Sequence, residues 1–127
     1  MAAISGFHHV KLPVADVARS RHWYERVLGF QVTHEFVEDG VVMGLALADP
    51  GGAVQLALRL DPRRAAALAD FDPVALAVPT RADIPRWRAH LDDLGEVHGG
   101  VVTGSQGGAV LVGLRDPDGI EIRLYAD

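Results

Sequence analysis

The chain has 127 residues, 49% of them hydrophobic, and a formal net charge of −5. That length suits one compact domain with an apolar core, and the negative charge argues against a nucleic-acid partner or an anionic membrane surface. With no cysteine, there is neither a disulfide framework nor thiolate ligation of a metal.

Residues 7–14 alternate, with Val10, Leu12 and Val14 on one face and His9 and Lys11 on the other, which is the pattern of a half-buried strand. Asp16 stands where a helix N-cap belongs. Val17, Trp23, Tyr24, Val27 and Leu28 give that helix an apolar stripe, and Gly29 is its stop. Strands are expected over 30–37, 41–48 and 53–60, with turns at Asp39-Gly40 and Asp49-Pro50-Gly51-Gly52. Residues 61–70 form a connector in which Asp61-Pro62 opens a short helical turn through Ala65–Leu68. Val74, Leu76 and Val78 then repeat the apolar alternation. Asp83 and Pro85 open a helix running to Leu94. Strands are expected over 96–103, 108–115 and 119–126, with a turn at Asp116-Pro117-Asp118-Gly119. The N-terminus lacks a basic region followed by a long apolar run, and no apolar stretch reaches the ~18 residues of a membrane span. A cytoplasmic protein is therefore expected.

The two halves repeat each other. Val10, Leu12, Val14 and Trp23 stand 64 positions before Val74, Leu76, Val78 and Trp87, and Leu28-Gly29 answers to Leu94-Gly95. The order β-α-β-β-β occurs twice, which predicts an α+β fold. Two βαβββ modules, about 5–60 and 71–127, make up a single domain of residues 1–127. Short turns after each helix imply an antiparallel meander in each module. The modules are expected to join into one curved, barrel-like sheet with the helices outside. Trp23 and Trp87 read as core residues, and His22, His90 and His98 as solvent-facing.

Strand parity assigns the other face. With the Val10 and Val74 series against the helices, the open face carries Phe7, His9 and Lys11, then Gln55, Ala57 and Arg59. In the second half it carries Pro73, Ala75 and Ala77, then Glu121, Arg123 and Tyr125. A concave surface of such polar groups with small alanines between them has room for a ligand.

The runs HHVKLPVAD, WYERVLGF, VALAVPT, LGE and RDPDGIEIRLY resemble the vicinal oxygen chelate superfamily over almost the whole chain. That superfamily includes glyoxalase I, extradiol dioxygenases, fosfomycin resistance enzymes, methylmalonyl-CoA epimerase and bleomycin resistance proteins. The resemblance implies a divalent cation held by inward side chains of the first and last strands of each module. Here the four slots fall on His9, Gln55, Pro73 and Arg123. A hard cation in such a site needs about three protein donors, with carboxylate among them. Proline offers none, and arginine stays protonated and repels the ion.

The expectation is a protein that binds a small organic molecule without the usual metal or any other cofactor. Its contacts would be His9, Gln55, Arg59, Glu121, Arg123 and Tyr125. Arg59 and Arg123 would meet an acidic group, or pair with carboxylates of the chain, and His9 is the candidate general base. The alternative is a lyase or isomerase like glyoxalase I, or an enzyme like the extradiol dioxygenases. It would use Mn, Ni, Zn or Fe on His9, Gln55 and Glu121. The resemblance also implies a homodimer.

Overall fold

A computed structural model describes residues 1–127. The chain divides into two compact units, Met1–Ala65 and Ala66–Asp127, each with one four-stranded sheet.

The first unit holds β1 (Val10–Val14), α1 (Val17–Leu28), β2 (Gln31–Glu38), β3 (Val41–Ala48) and β4 (Gln55–Leu60). The Asp16 carboxylate accepts the Arg19 N–H at 2.9 Å, one of the donors that a helix start leaves without a partner. Gly29, at φ 74°, turns the chain out of α1 in the left-handed conformation. Asp39 and Gly40, at φ 51° and 77°, form the tight turn that matches strand twist. β2, β3 and β4 form the expected antiparallel meander, and β1 lies parallel beside β4, giving the order β1-β4-β3-β2.

The register puts Leu12 and Leu45 opposite Leu58, and Leu47 opposite Leu56. All five are 1% exposed. α1 packs against β3 and β4 and buries Trp23, Tyr24, Val27 and Leu28. Burying one such side chain contributes roughly 1.5–3 kcal/mol, so this helix-facing layer dominates the stability of the unit.

The second unit repeats the plan. α2 (Pro62–Ala67) leads into it, followed by β5 (Val74–Ala77), α3 (Asp83–Asp93), β6 (Val101–Thr103), β7 (Ala109–Leu111) and β8 (Ile122–Ala126). β5 lies parallel to β8, in the order β5-β8-β7-β6. α3 packs against β7 and β8. The α+β class with two βαβββ units is the one expected.

Three details differ from expectation. β6, β7 and β8 are shorter, because Gly100, Gly107, Gly108, Gly113 and Gly119 all take positive φ and interrupt the ladders. Trp87 is only partly buried and stands edge-to-face to His90, whereas Trp23 is 7% exposed. His98 is not solvent-facing: its side chain is 8% exposed. Its Nδ1 accepts the Gly100 N–H at 3.0 Å, and its Nε2 lies 2.7 Å from the Asp92 carboxylate. An Nδ1 that accepts carries no proton, so Nε2 is the donor to Asp92. No helix is long and apolar enough to cross a membrane.

Candidate functional site

Residues paired across a ladder project from the same face, so the register of the first unit lays its open face out in rows. One row is Phe36, Gly44, Arg59 and Pro13. The next is His34, Ala46, Ala57 and Lys11. The third is Gln31, Ala48 and Gln55. One step before β1, the same register sets His9 opposite Gln55. Gly44, Ala46, Ala48 and Ala57 keep the inner strands of this face low, and Arg59 and Gln55 are the long side chains that rise from them.

Arg59 crosses that low surface. Its Nη2 donates to both carboxylate oxygens of Glu38 at 3.1 Å. The crossing passes over Gly44, where a Cβ would stand 2.7 Å from the Leu58 carbonyl oxygen and 3.7 Å from the Arg59 Cδ. His34 and Phe36 stand edge-to-face with ring centres 4.6 Å apart. Beside this face runs a groove of about 570 Å³ lined by Lys11, Pro13, Arg59, Leu60, Asp61 and Arg64. Asp61 and Arg64 pair at 2.7 Å. The Arg64 side chain, then its backbone N–H, hold the Asp61 carboxyl below the usual carboxylate range. Lys11 is exposed and has no carboxylate partner. His9 is exposed as well, with its Nδ1 2.8 Å from Nδ1 of His8. One of those two rings must hold a proton there.

On the open face of the second unit, Ala75 lies opposite Arg123 and Ala77 opposite Tyr125. The Arg123 Nε donates to Glu121, and its Nη1 reaches Asp72 at 3.3 Å. Glu121 is 7% exposed. Burial pushes its carboxyl up, but the Arg123 guanidinium and the Gly113 N–H favour the charged form more strongly and leave it below the usual range. The Tyr125 hydroxyl donates to the Gly107 carbonyl at 2.7 Å. Of the alternatives left open by the sequence, both arginines are engaged with carboxylates of their own unit.

The sign of the Glu121 shift fixes a pH dependence. A carboxyl lowered in the folded state adds stability above its unfolded pKa and loses it as pH falls through the folded value. Glu121→Gln is therefore expected to cost about 1 kcal/mol at pH 7. The gap from wild type should shrink below about pH 4.5, the ordinary carboxyl value, and then close. Urea melts of both proteins between pH 7 and pH 2 check this; a gap that stays constant with pH would refute it.

Expected residues gather as two sets: Gln55 and Arg59 on β4 with His9 one residue before β1, and Arg123 and Tyr125 on β8 with Glu121 one residue before it. Sequence reading missed Gln31, His34 and Phe36, the β2 contribution to the first open face. Their signal is the alternation of β2, blurred by irregularities between Val32 and His34 and between Phe36 and Val37. It also missed Asp72 as the second partner of Arg123. No three His, Asp or Glu side chains gather where they could hold a metal ion.

Residues 6–124 match the model of the Glyoxalase/Bleomycin resistance protein/Dioxygenase superfamily. No curated protein matches the chain. Among solved structures, it is similar to a glyoxylase/bleomycin resistance protein/dioxygenase domain from Frankia sp. EAN1pec, at 22% identity and TM-score 0.76, covering 98% of each chain. Lactoylglutathione lyase from Agrobacterium tumefaciens is similar at 16% identity and TM-score 0.77, over 98% of this chain and 95% of that one. A mutant of the fosfomycin resistance protein FosX from Listeria monocytogenes, complexed with Mn(II) and 1S,2S-dihydroxypropylphosphonic acid, is similar at 15% identity. Its TM-score is 0.74, over 98% of this chain and 93% of that one. At these identities the likeness concerns the fold.

Proposed function

The chain belongs to the Glyoxalase/Bleomycin resistance protein/Dioxygenase superfamily, and from that membership we propose that it binds a small organic molecule on its open sheet faces without a divalent metal. The observation that carries this is Arg123. The family resemblance puts it in the slot where a metal-dependent member would carry a carboxylate, and it contacts both Glu121 and Asp72. A guanidinium there repels a cation and engages the carboxylate that would otherwise compensate. Pro73 supplies no donor to its slot. The residues present do not fit the metal. The metal-dependent reading on His9, Gln55 and Glu121 would first have to take buried Glu121 away from Arg123, its charge-assisted partner.

The proposal extends to a cytoplasmic homodimer, the assembly that the family resemblance implies. Native mass spectrometry of protein purified without chelator tests both parts. The expected species has twice the chain mass and no bound metal. Added Mn²⁺, Ni²⁺, Zn²⁺ or Fe²⁺ should leave the melting temperature unchanged. One metal per chain, with stabilisation on re-addition, would overturn the metal-free reading, and a monomer at high concentration would overturn the dimer.

A further inference from the structure

We propose that the open face of the first unit selects a planar aromatic monoanion, with the acid group on Lys11 and the ring lying over Ala57 and Ala46 toward His34 and Phe36. This deepens the proposed function and rests on its reading of the sheet faces as the binding surface. The charge argument is one of elimination among the cations at this place. Arg59 is held by Glu38 and Arg64 by Asp61, so each pair is internally compensated. Lys11 is exposed, borders the groove and has no carboxylate partner. An acid group therefore gains a new contact at Lys11 and at neither arginine. A second acid group would meet only cations already paired, beside Glu38 and Asp61, so one negative charge is favoured over two.

The shape argument comes from the row itself. Lys11 and His34 mark the two ends of one transverse row, and only the methyl groups of Ala57 and Ala46 lie between them. Three strand spacings make that interval roughly 14 Å between backbones. Once the long Lys11 side chain and the His34 ring lean over the alanines, one ring or two fused rings bridge the remainder. A flat methyl floor accepts a flat body. The edge-to-face pair of His34 and Phe36 offers aromatic surface at the end away from the charge. Phe36 is 44% exposed, so that surface is available to a ligand.

The test is a ¹⁵N amide-shift titration of the full chain with 2-naphthoate, neutral 2-naphthamide and non-aromatic cyclohexanecarboxylate. The naphthoate is expected to move the amides of Lys11, Ala46 and Ala57 and to bind about tenfold tighter than the amide, as one charge-assisted contact allows. Cyclohexanecarboxylate should bind more weakly than naphthoate. Lys11→Met should bring naphthoate down to the affinity of the amide. Equal binding of acid and amide, an acid advantage that survives in Lys11→Met, or no shift on this face by any of the three would overturn the proposal. The metal-free reading fails separately. If added Mn²⁺ raises naphthoate affinity equally in wild type and Lys11→Met, that reading is lost, while an acid-over-amide ratio that disappears only in the variant still upholds the role of Lys11.

Discussion

Gly108→Val is expected to cost about 4 kcal/mol or more, enough to unfold much of a marginally stable domain. Gly108 lies at φ 78° on the approach to β7. A left-handed conformation alone costs a side-chain-bearing residue about 1–2 kcal/mol. The larger part is steric. A Cβ at this position would stand 2.5 Å from the Ala126 carbonyl oxygen and 2.9 Å from the Tyr125 Cε1. The first is ladder backbone, and the second belongs to a ring whose hydroxyl is tied to Gly107, so neither yields cheaply. Neighbouring Gly107 separates the two contributions, because it has φ 89° and nothing within 4 Å of a Cβ. Gly107→Ala should lose only about 1–2 kcal/mol. Chemical denaturation of both variants reads the contrast. A Gly108→Val protein as stable as Gly107→Ala would show that the strand edge relaxes around the new side chain.

Asp116→Ala is expected to cost about 3 kcal/mol. Asp116 is 5% exposed, and its Oδ1 accepts the N–H groups of Asp118 at 2.9 Å and Ile120 at 3.0 Å. Its backbone carbonyl also accepts the Gly119 N–H, so this one residue organises the whole turn before β8. Alanine would leave two N–H groups without acceptors, one on fully buried Ile120, and each orphaned donor costs about 1–3 kcal/mol. Asp116→Asn keeps a side-chain oxygen and should recover about half the loss. A lower urea midpoint at unchanged m-value would place the effect in the native turn. An alanine variant within 1 kcal/mol of wild type would mean that water reaches those donors.

The helix-facing layers were legible in the sequence because their physics is local and periodic. Leu12, Leu56, Leu58, Ile122 and Leu124 follow a period of two, and each is 1% exposed or less. The Asp16 cap and the Gly29 stop are readable one residue at a time. The second half was less legible. Its glycines leave the alternation of residues 96–126 intact on paper while their positive φ values break it in space. Candidate-site residues divide in the same way. Glu121 and Arg123 stand two apart in the chain, so their pairing was foreseeable as an alternative. The partner of Arg59 was not, because Glu38 lies beyond a β2 irregularity that shifts parity. His98 was expected to face solvent. Only the fold brings Asp92 and the Gly100 N–H to its two ring nitrogens.

In each unit the opening strand finds its partner in the closing one: Val10 pairs with Leu56, and Val74 with Ile122. Bringing together residues nearly fifty positions apart carries a closure entropy of about 3 kcal/mol before any contact repays it. The hairpins β2–β3–β4 and β7–β8 close shorter loops and bear less of that cost, by about 1 kcal/mol for β7–β8. Every ladder partner in the first unit lies at or before residue 60. Its sheet can therefore be completed while the second unit is still being synthesised, and a ribosome pausing well past that point would hold a finished four-stranded sheet with β1 and β2 as its edges.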